Sequence, residues 1–334
     1  MDIKLVPCTW KHGKKWAYTV TFDEAMEELF DYTVPLHQEL GVPGHVEVVV
    51  GHMGQERQIG SSSYNGWHHM DAEDLRRLID MGWGVGSHSW SHGMVEEDLE
   101  NEVYRAKEVL EEAIGCRVVT YVAPGSNVNI TPAIVDALRT AGYLCAMGVT
   151  DDINRPDSDL WFLARSSNLH QGWGPLWSAF DPHHRLAQAR ATSGWVCDYC
   201  HCPSPQIPHE NKDVYIDEHR ARLEAVLEVG GAEVWLATVE EIVDYILCRR
   251  HVQVTPAAGA KGKGALELSL QGVPQPVACH QVTFDIRVPP SLCRCPSLVV
   301  DGDPRPAMLV GQGTIRATLD LSAPRTVVIQ GAGQ

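Results

Sequence analysis

Two short stretches hold residue types that can do chemistry together. Thr21-Phe22-Asp23-Glu24 sets two adjacent carboxylates at the end of an apolar run, and Ser87-His88-Ser89-Trp90-Ser91-His92 sets two imidazoles four residues apart. On a helical turn that spacing faces both rings the same way, so they can share one ion. One carboxylate with two imidazoles makes a three-ligand site with open positions for water and a carbonyl oxygen. The other carboxylate can take the proton of that water. These are the parts of a metal-assisted hydrolysis. Taken alone, Asp23 also reads as a helix cap ahead of Ala25–Phe30.

The elements that must hold these residues follow a β/α alternation. Ala17–Phe22 and His45–Val50 read as strands. Met70–Met81 reads as a helix capped by Asp71 and stopped by Gly82. Trp83–Ser87 is a strand, and a helix runs from about Glu96 to Ile114, stopped by Gly115. Arg117–Val122 is a strand, and Thr131-Pro132 opens a helix that Gly142 ends. Tyr143–Val149 and Trp195–Cys200 are further strands, and Tyr215–Val229 is amphipathic. Glu233–Ala237 is the last strand of the series, and Thr238-x-x-Glu241 is a capping box opening a helix to about Arg250. Asp151–Ala191, with Trp161, Trp173 and Trp177 among Gly and Pro, reads as an elaborated loop. About seven strand–helix units in a row predict an α/β fold, either a parallel barrel or a doubly wound sheet. In a barrel the C-terminal strand ends form the active face, which is where both motifs fall.

Beyond Val254 the pattern changes. Ala257–Gly264 reads as a flexible linker or hairpin tip. Leu266–Leu270, Gln281–Val288, Ser297–Val300, Thr314–Leu319 and Thr326–Ile329 alternate with period two between Pro and Gly. This predicts residues 253–334 as a small all-β domain beside a barrel of residues 1–252. The 334 residues suffice for two such bodies without staples.

Composition excludes several classes. Lys and Arg number 27 against 43 Asp and Glu, a net charge of −16 with no basic run, so nucleic acid and anionic membrane are excluded as partners. No apolar stretch approaches the length of a membrane span. Met1–Val20 carries Lys4, Lys11, Lys14 and Lys15 and lacks a signal peptide's apolar segment, which predicts a cytoplasmic chain. Cys8, Cys116, Cys145 and Cys248 read as small core residues. Cys197, Cys200 and Cys202 read as structural thiols, with a second metal site or a disulfide open, and Cys293 and Cys295 form another pair. Neither a Gly-x-Ser-x-Gly elbow nor a His-Glu-x-x-His helix is present, since His209-Glu210 lacks a second His.

The two motifs resemble those of the polysaccharide deacetylases, carbohydrate esterase family four. Thr21-Phe22-Asp23-Glu24 is similar to their Thr-Phe-Asp-Asp, and His88-Ser89-Trp90-Ser91-His92 to their His-Ser/Thr-x-x-His. The approach LRRLIDMGWGVGSHSWSH and the late stretch Glu233–Ile246 resemble the family too, so the likeness covers about residues 16–250. It implies a distorted parallel β/α barrel and a metal-dependent hydrolase that removes acyl groups from amines, typically N-acetyl groups on sugars. It implies Asp23 as general base, His88 and His92 as metal ligands, and Glu24, one methylene longer than the family's Asp, as the third ligand. Zinc suits two imidazoles and a carboxylate, with cobalt or nickel as substitutes.

Two family motifs are altered. The Arg-x-Pro-Tyr stretch reads Val122-Ala123-Pro124-Gly125, so its arginine is missing, and Arg165 near another strand end is the candidate replacement. Backbone N–H groups near Tyr121–Gly125 are candidates for an oxyanion. The last motif's histidine is matched by position at His201, after Trp195–Cys200, as candidate general acid. Trp90, Pro124 and Arg165 are the candidate substrate contacts, while His52, His68, His69, His183 and His184 read as structural or solvent-facing. The expected partner is a glycan or small molecule, with a homo-oligomer left open. Two rival readings stand: a hydrolase of a non-sugar linear or cyclic amide on the same fold, and a non-catalytic carbohydrate-binding relative.

Overall fold

The computed structural model describes residues 3–58, 60, 64–166, 169, 180–207, 213–257, 265–288, 297–311 and 313–330. The readings made at Trp173, Trp177, His209-Glu210, Cys293, Cys295 and the linker 258–264 lie outside the described residues. The chain forms two compact units, Trp16–Val243 and Met1–Lys15 together with Asp244–Gln334. The division thus falls at 15/16 and 243/244 rather than at 252/253. One reason is the first strand, β1 (Lys4–Pro7), which pairs antiparallel with Phe284–Arg287 in the C-terminal part of the chain.

In the larger unit, β2 (Trp16–Asp23), β3 (His45–Val48), β4 (Gly84–Ser87), β5 (Thr120–Val122), β6 (Cys145–Met147) and β7 (Trp195–Cys200) pair in parallel in the order β6-β5-β4-β3-β2-β7. A seventh strand, β8 (Val234–Leu236), also pairs with β2. Every residue of β2 is buried, as expected of a strand covered on both faces. β7 runs along Ala17–Phe22, whereas β8 meets Trp16–Tyr18 and β3 meets Thr21–Asp23. A strand has two hydrogen-bonding edges, so β8 and β3 share the one opposite β7. This is the distortion of a β/α barrel.

The gap between β6 and β7 is filled by part of the stretch expected to be only a loop. Leu163 bridges in parallel to Met147, and Ser166 to Asp198. The N–H groups of Gly148 and Ser166 donate to Leu163 and Cys197 carbonyls at 2.9 and 2.7 Å. The run is too short and irregular to show a strand period, but it closes the ring.

The helices are α1 (Thr33–Leu40), α2 (Ala72–Asp80), α3 (Ala106–Ile114), α4 (Pro132–Ala141), α5 (Leu186–Thr192), α6 (Ile216–Gly230) and α7 (Val239–Arg250). Asp71 caps α2 by accepting from the N–H groups of Glu73 and Asp74, a contribution of about 1 kcal/mol. Thr131 caps α4 ahead of Pro132, and Gly142 ends it at φ +87°. The helix expected over Glu96–Ile114 is interrupted. A wide π turn at Glu100–Arg105 precedes α3 and brings Glu102 inward, to 6% exposure.

The sheets of the smaller unit are all antiparallel, as expected, and the end of α7 is its α-helical part. Beyond β1 it comprises β9 (Val252–Pro256), β10 (Ala265–Leu270), β11 (Gln281–Arg287), β12 (Ser297–Val300), β13 (Asp303–Arg305), β14 (Met308–Gly311), β15 (Thr314–Asp320) and β16 (Arg325–Gln330). They form two sheets, β1-β11-β15-β14 and β13-β12-β16-β10-β9. On β15 the buried residues Ile315, Ala317 and Leu319 alternate with less buried ones, the period of a half-buried strand.

Candidate active site

The chemistry-bearing residues collect at one end of the barrel. Asp23 ends β2, His88 follows β4, Pro124 follows β5 and His201 follows β7. These are the C-terminal strand ends. Arg165 lies in the segment that closes the ring.

Asp23 and Arg165 form a buried pair. The guanidinium donates to Asp23 Oδ1 at 2.5 Å and Oδ2 at 3.1 Å, to Thr21 Oγ1 at 3.1 Å and to the Gly148 carbonyl at 3.3 Å. It also lies 4.5 Å from the Tyr199 ring centroid. Burial alone pushes the Asp23 carboxyl up. The charges of Arg165 and His88 outweigh that and hold it at about 2. Arg165 is 0% exposed, and its donors turn inward to Asp23, Thr21 and the Gly148 carbonyl.

The His88–His92 motif is not a helical turn. Ser89 and His92 have φ of +69° and +62°, the left-handed region that non-glycine residues avoid. The inward Glu102 supports this turn, accepting from the N–H groups of Trp90 and Ser91 at 3.0 Å each and from the Ser91 hydroxyl. The two rings lie 4.9 Å apart, centroid to centroid. Next to His88 Nδ1 is the Val122 carbonyl at 3.0 Å; donation from Nδ1 leaves the Nε2 lone pair free. Burial lowers His88 to about 3, so its ring is neutral near pH 7. The Arg105 guanidinium covers one face of Trp90 at 4.4 Å from the ring centroid. Pro124 is buried, and its carbonyl accepts from Asn129 at 2.9 Å.

Glu24 stands in a different bond from the one its motif implies. Arg57 Nη2 donates to Oε1 at 2.7 Å and its Nε to Oε2, while Nη1 donates to Asn65 Oδ1 at 3.0 Å. Both Glu24 and Arg57 are 1% exposed. Burial raises the Glu24 carboxyl, but its bonds to Arg57 and the nearby His201 and His92 hold it well below the ordinary range. Glu24 and Ala25 have φ of +71° and +48°. The Glu24 carbonyl lies 2.7 Å from His69 Nδ1, so His69 is a structural support of the site. Oε1 is 4.0 Å from His92 Nε2 and 3.9 Å from His201 Nε2.

This arrangement does not fit a metal ion. Zinc ligands at about 2.0–2.2 Å in a tetrahedron lie about 3.4 Å from one another. Here the gaps are wider, and both Glu24 oxygens already accept from a cation. Among the described residues, no group of three or more His, Cys, Asp or Glu is drawn together to hold one. The expected ligands Glu24, His88 and His92 are neighbours, but Glu24 is committed to Arg57.

His201 stacks on Tyr64 at 5.6 Å between ring centroids. Asp213 fixes its backbone, accepting from the N–H groups of His201 and Cys202 at 2.8 Å each and from the Tyr64 hydroxyl. Cys197, Cys200 and Cys202 are buried free thiols, and burial pushes all three up. Cys116, read as a core residue, is exposed because it follows the Gly115 that ends α3.

Arg57, Glu102, Tyr64 and Asp213 were not singled out in the sequence. Only Glu102 lies in a periodic run, the helix read over Glu96–Ile114, and none of the four lies in a family motif. The one available signal was charge: Arg57 falls in a stretch between strand and helix with no acidic partner at helical spacing.

The family model described as Polysaccharide deacetylase matches residues 11–146, which include both motifs and Arg57 but neither Arg165 nor His201. No curated protein matches. Similar solved structures include a Streptococcus pyogenes deacetylase in complex with acetate (15% identity, 44% of this chain and 62% of that one, TM-score 0.37). A polysaccharide deacetylase from Bacillus cereus is another (18%, 44% and 45%, TM-score 0.37). A third is a family 4 acetyl xylan esterase from Clostridium thermocellum in complex with a cobalt ion (14%, 68% and 89%, TM-score 0.41). The chain thus spans less than two thirds of the first two. Among the described residues no helix is long and apolar enough to cross a membrane. The resemblance carried by Asp23-Glu24 and His88-x-x-x-His92 therefore stands: over residues 11–146 this chain matches the polysaccharide deacetylase family.

Proposed function

We propose that the protein is a hydrolase that removes an acyl group from an amine, with an N-acetylated amino sugar or glycan as substrate class. The observation that carries this reading is the Asp23–Arg165 pair, set among His88, His92 and His201 at one end of the barrel. Asp23 is ionised at neutral pH and takes the proton of the attacking water. Arg165 fixes both of its oxygens, so the carboxylate meets the water in one orientation. His201 supplies a proton to the leaving nitrogen, which departs poorly as an anion. Glu24 takes no part in these proton transfers, because it is held by Arg57.

One observation favours a second reading, a non-sugar linear or cyclic amide as substrate. Arg105 covers a face of Trp90, the aromatic ring of the histidine motif, so that face is closed to a sugar ring. Acyl release from N-acetyl sugars and from small amides and imides separates the two. The Asp23→Asn variant should retain its fold by circular dichroism and lose about 10²–10⁴-fold in kcat. Undiminished turnover by Asp23→Asn, or no hydrolysis of any N-acyl substrate by folded wild type, would overturn the proposal.

A further inference from the structure

We propose that Arg57 is the standing cation of this site and keeps divalent ions from using Glu24. The inference goes beyond the proposed reaction and does not depend on it. A carboxylate has about four lone-pair positions, and a bidentate guanidinium takes one on each oxygen. Arg57 is not a passing surface partner. Its side chain is buried, its third nitrogen is tied to Asn65, and its own N–H donates to the Trp67 carbonyl at 2.6 Å while its carbonyl accepts from Gly66 at 3.0 Å. Glu24 cannot turn away without stranding a buried guanidinium, and its backbone is pinned by His69.

The rest of the donor set is what a zinc site uses. His88 has its Nε2 lone pair free, His92 is its ring neighbour, and Glu24 Oε1 lies 4.0 Å from His92 Nε2. Closing that gap by about 0.6 Å gives a tetrahedral edge. What opposes it is a fixed positive charge on the carboxylate that would have to bind the ion. The longer side chain at this position therefore does more than change reach: it meets a guanidinium supplied from the loop after β3.

The test is zinc binding, measured by competition with a chromophoric chelator, on full-length wild type, Arg57→Met, and Arg57→Met combined with His88→Ala and His92→Ala. Wild type should hold no stoichiometric zinc. Arg57→Met should bind one zinc about 10²–10⁴-fold more tightly than wild type, the size of effect expected when a nearby like charge is removed, and the triple variant should lose that gain. Stoichiometric zinc in wild type, lost in His88→Ala/His92→Ala, would overturn the proposal, as would a folded Arg57→Met that binds no better than wild type. If Arg57→Met does not fold, Arg57→Gln, which keeps a neutral donor to Glu24, replaces it with the same expectation.

Discussion

Replacing Arg165 by Met should damage the protein in a way that depends on pH. Asp23 is buried, and its carboxyl is held at about 2 against an ordinary value of 3.8. That drop corresponds to about 2–3 kcal/mol of native stability. Because the folded value is the lower one, the contribution is fully present above 3.8 and is lost as pH falls through about 2. Without Arg165, burial at Asp23 is opposed only by the nearby His88 and His201, and it drives the carboxyl above the ordinary value. At pH 7 the variant then holds a buried, unpaired carboxylate, and its stability should drop by about 3–5 kcal/mol. The deficit should shrink between pH 7 and pH 5, as Asp23 in the variant takes up a proton and the stranded charge disappears. Urea unfolding of wild type and Arg165→Met at both pH values, followed by tryptophan fluorescence, reads this directly. A loss below about 1 kcal/mol at pH 7, or an equal loss at both pH values, would refute the reasoning that makes Arg165 the counter-charge of the base.

Two other expectations concern the opposite side of the site. His201→Ala should lower kcat on an amide by about 10²–10⁴-fold yet largely spare an activated aryl acetate, whose leaving group needs no proton; equal losses on both would reject the general-acid role. Asp213→Ala removes the acceptor for two backbone N–H groups and the Tyr64 hydroxyl and should cost about 2–4 kcal/mol in chemical denaturation. An unchanged midpoint would show that the His201 turn is held by other bonds.

The regular elements were readable because their signals are local. Trp195–Cys200 is a strand with the expected ends, since an apolar run there is bounded by Gly194 and His201. α4 starts and stops at its Thr131-Pro132 and Gly142 signals. α1 was hidden because Pro35 and β-branched Thr33 and Val34 weaken its helical signal. α5 was hidden because it is short and flanked by left-handed Arg185 and Ser193. Within the site, the motif residues were legible as types, and their partners were not. Arg165 lies 142 positions from Asp23, and Arg57 lies 33 from Glu24 in a stretch without periodicity. No local rule joins such residues; only the barrel's closure and the loop after β3 bring them together. The histidine turn illustrates the same limit. Its spacing suggested a helix, whereas the actual chain path depends on left-handed Ser89 and His92 and on Glu102 from a distant π turn.

The stretch from Leu160 to Ser166 joins two tasks in one piece of chain. It completes the ring between β6 and β7, and it delivers the guanidinium that neutralises Asp23. Local opening of this stretch therefore disarms the proposed site at the same moment that it unzips the barrel. The competent fraction of molecules is governed by the free energy of that one excursion, which can be far smaller than that of global unfolding. Activity should then fade on heating before the bulk of the core melts, and amide protons at Gly148 and Ser166 should exchange in step with the loss.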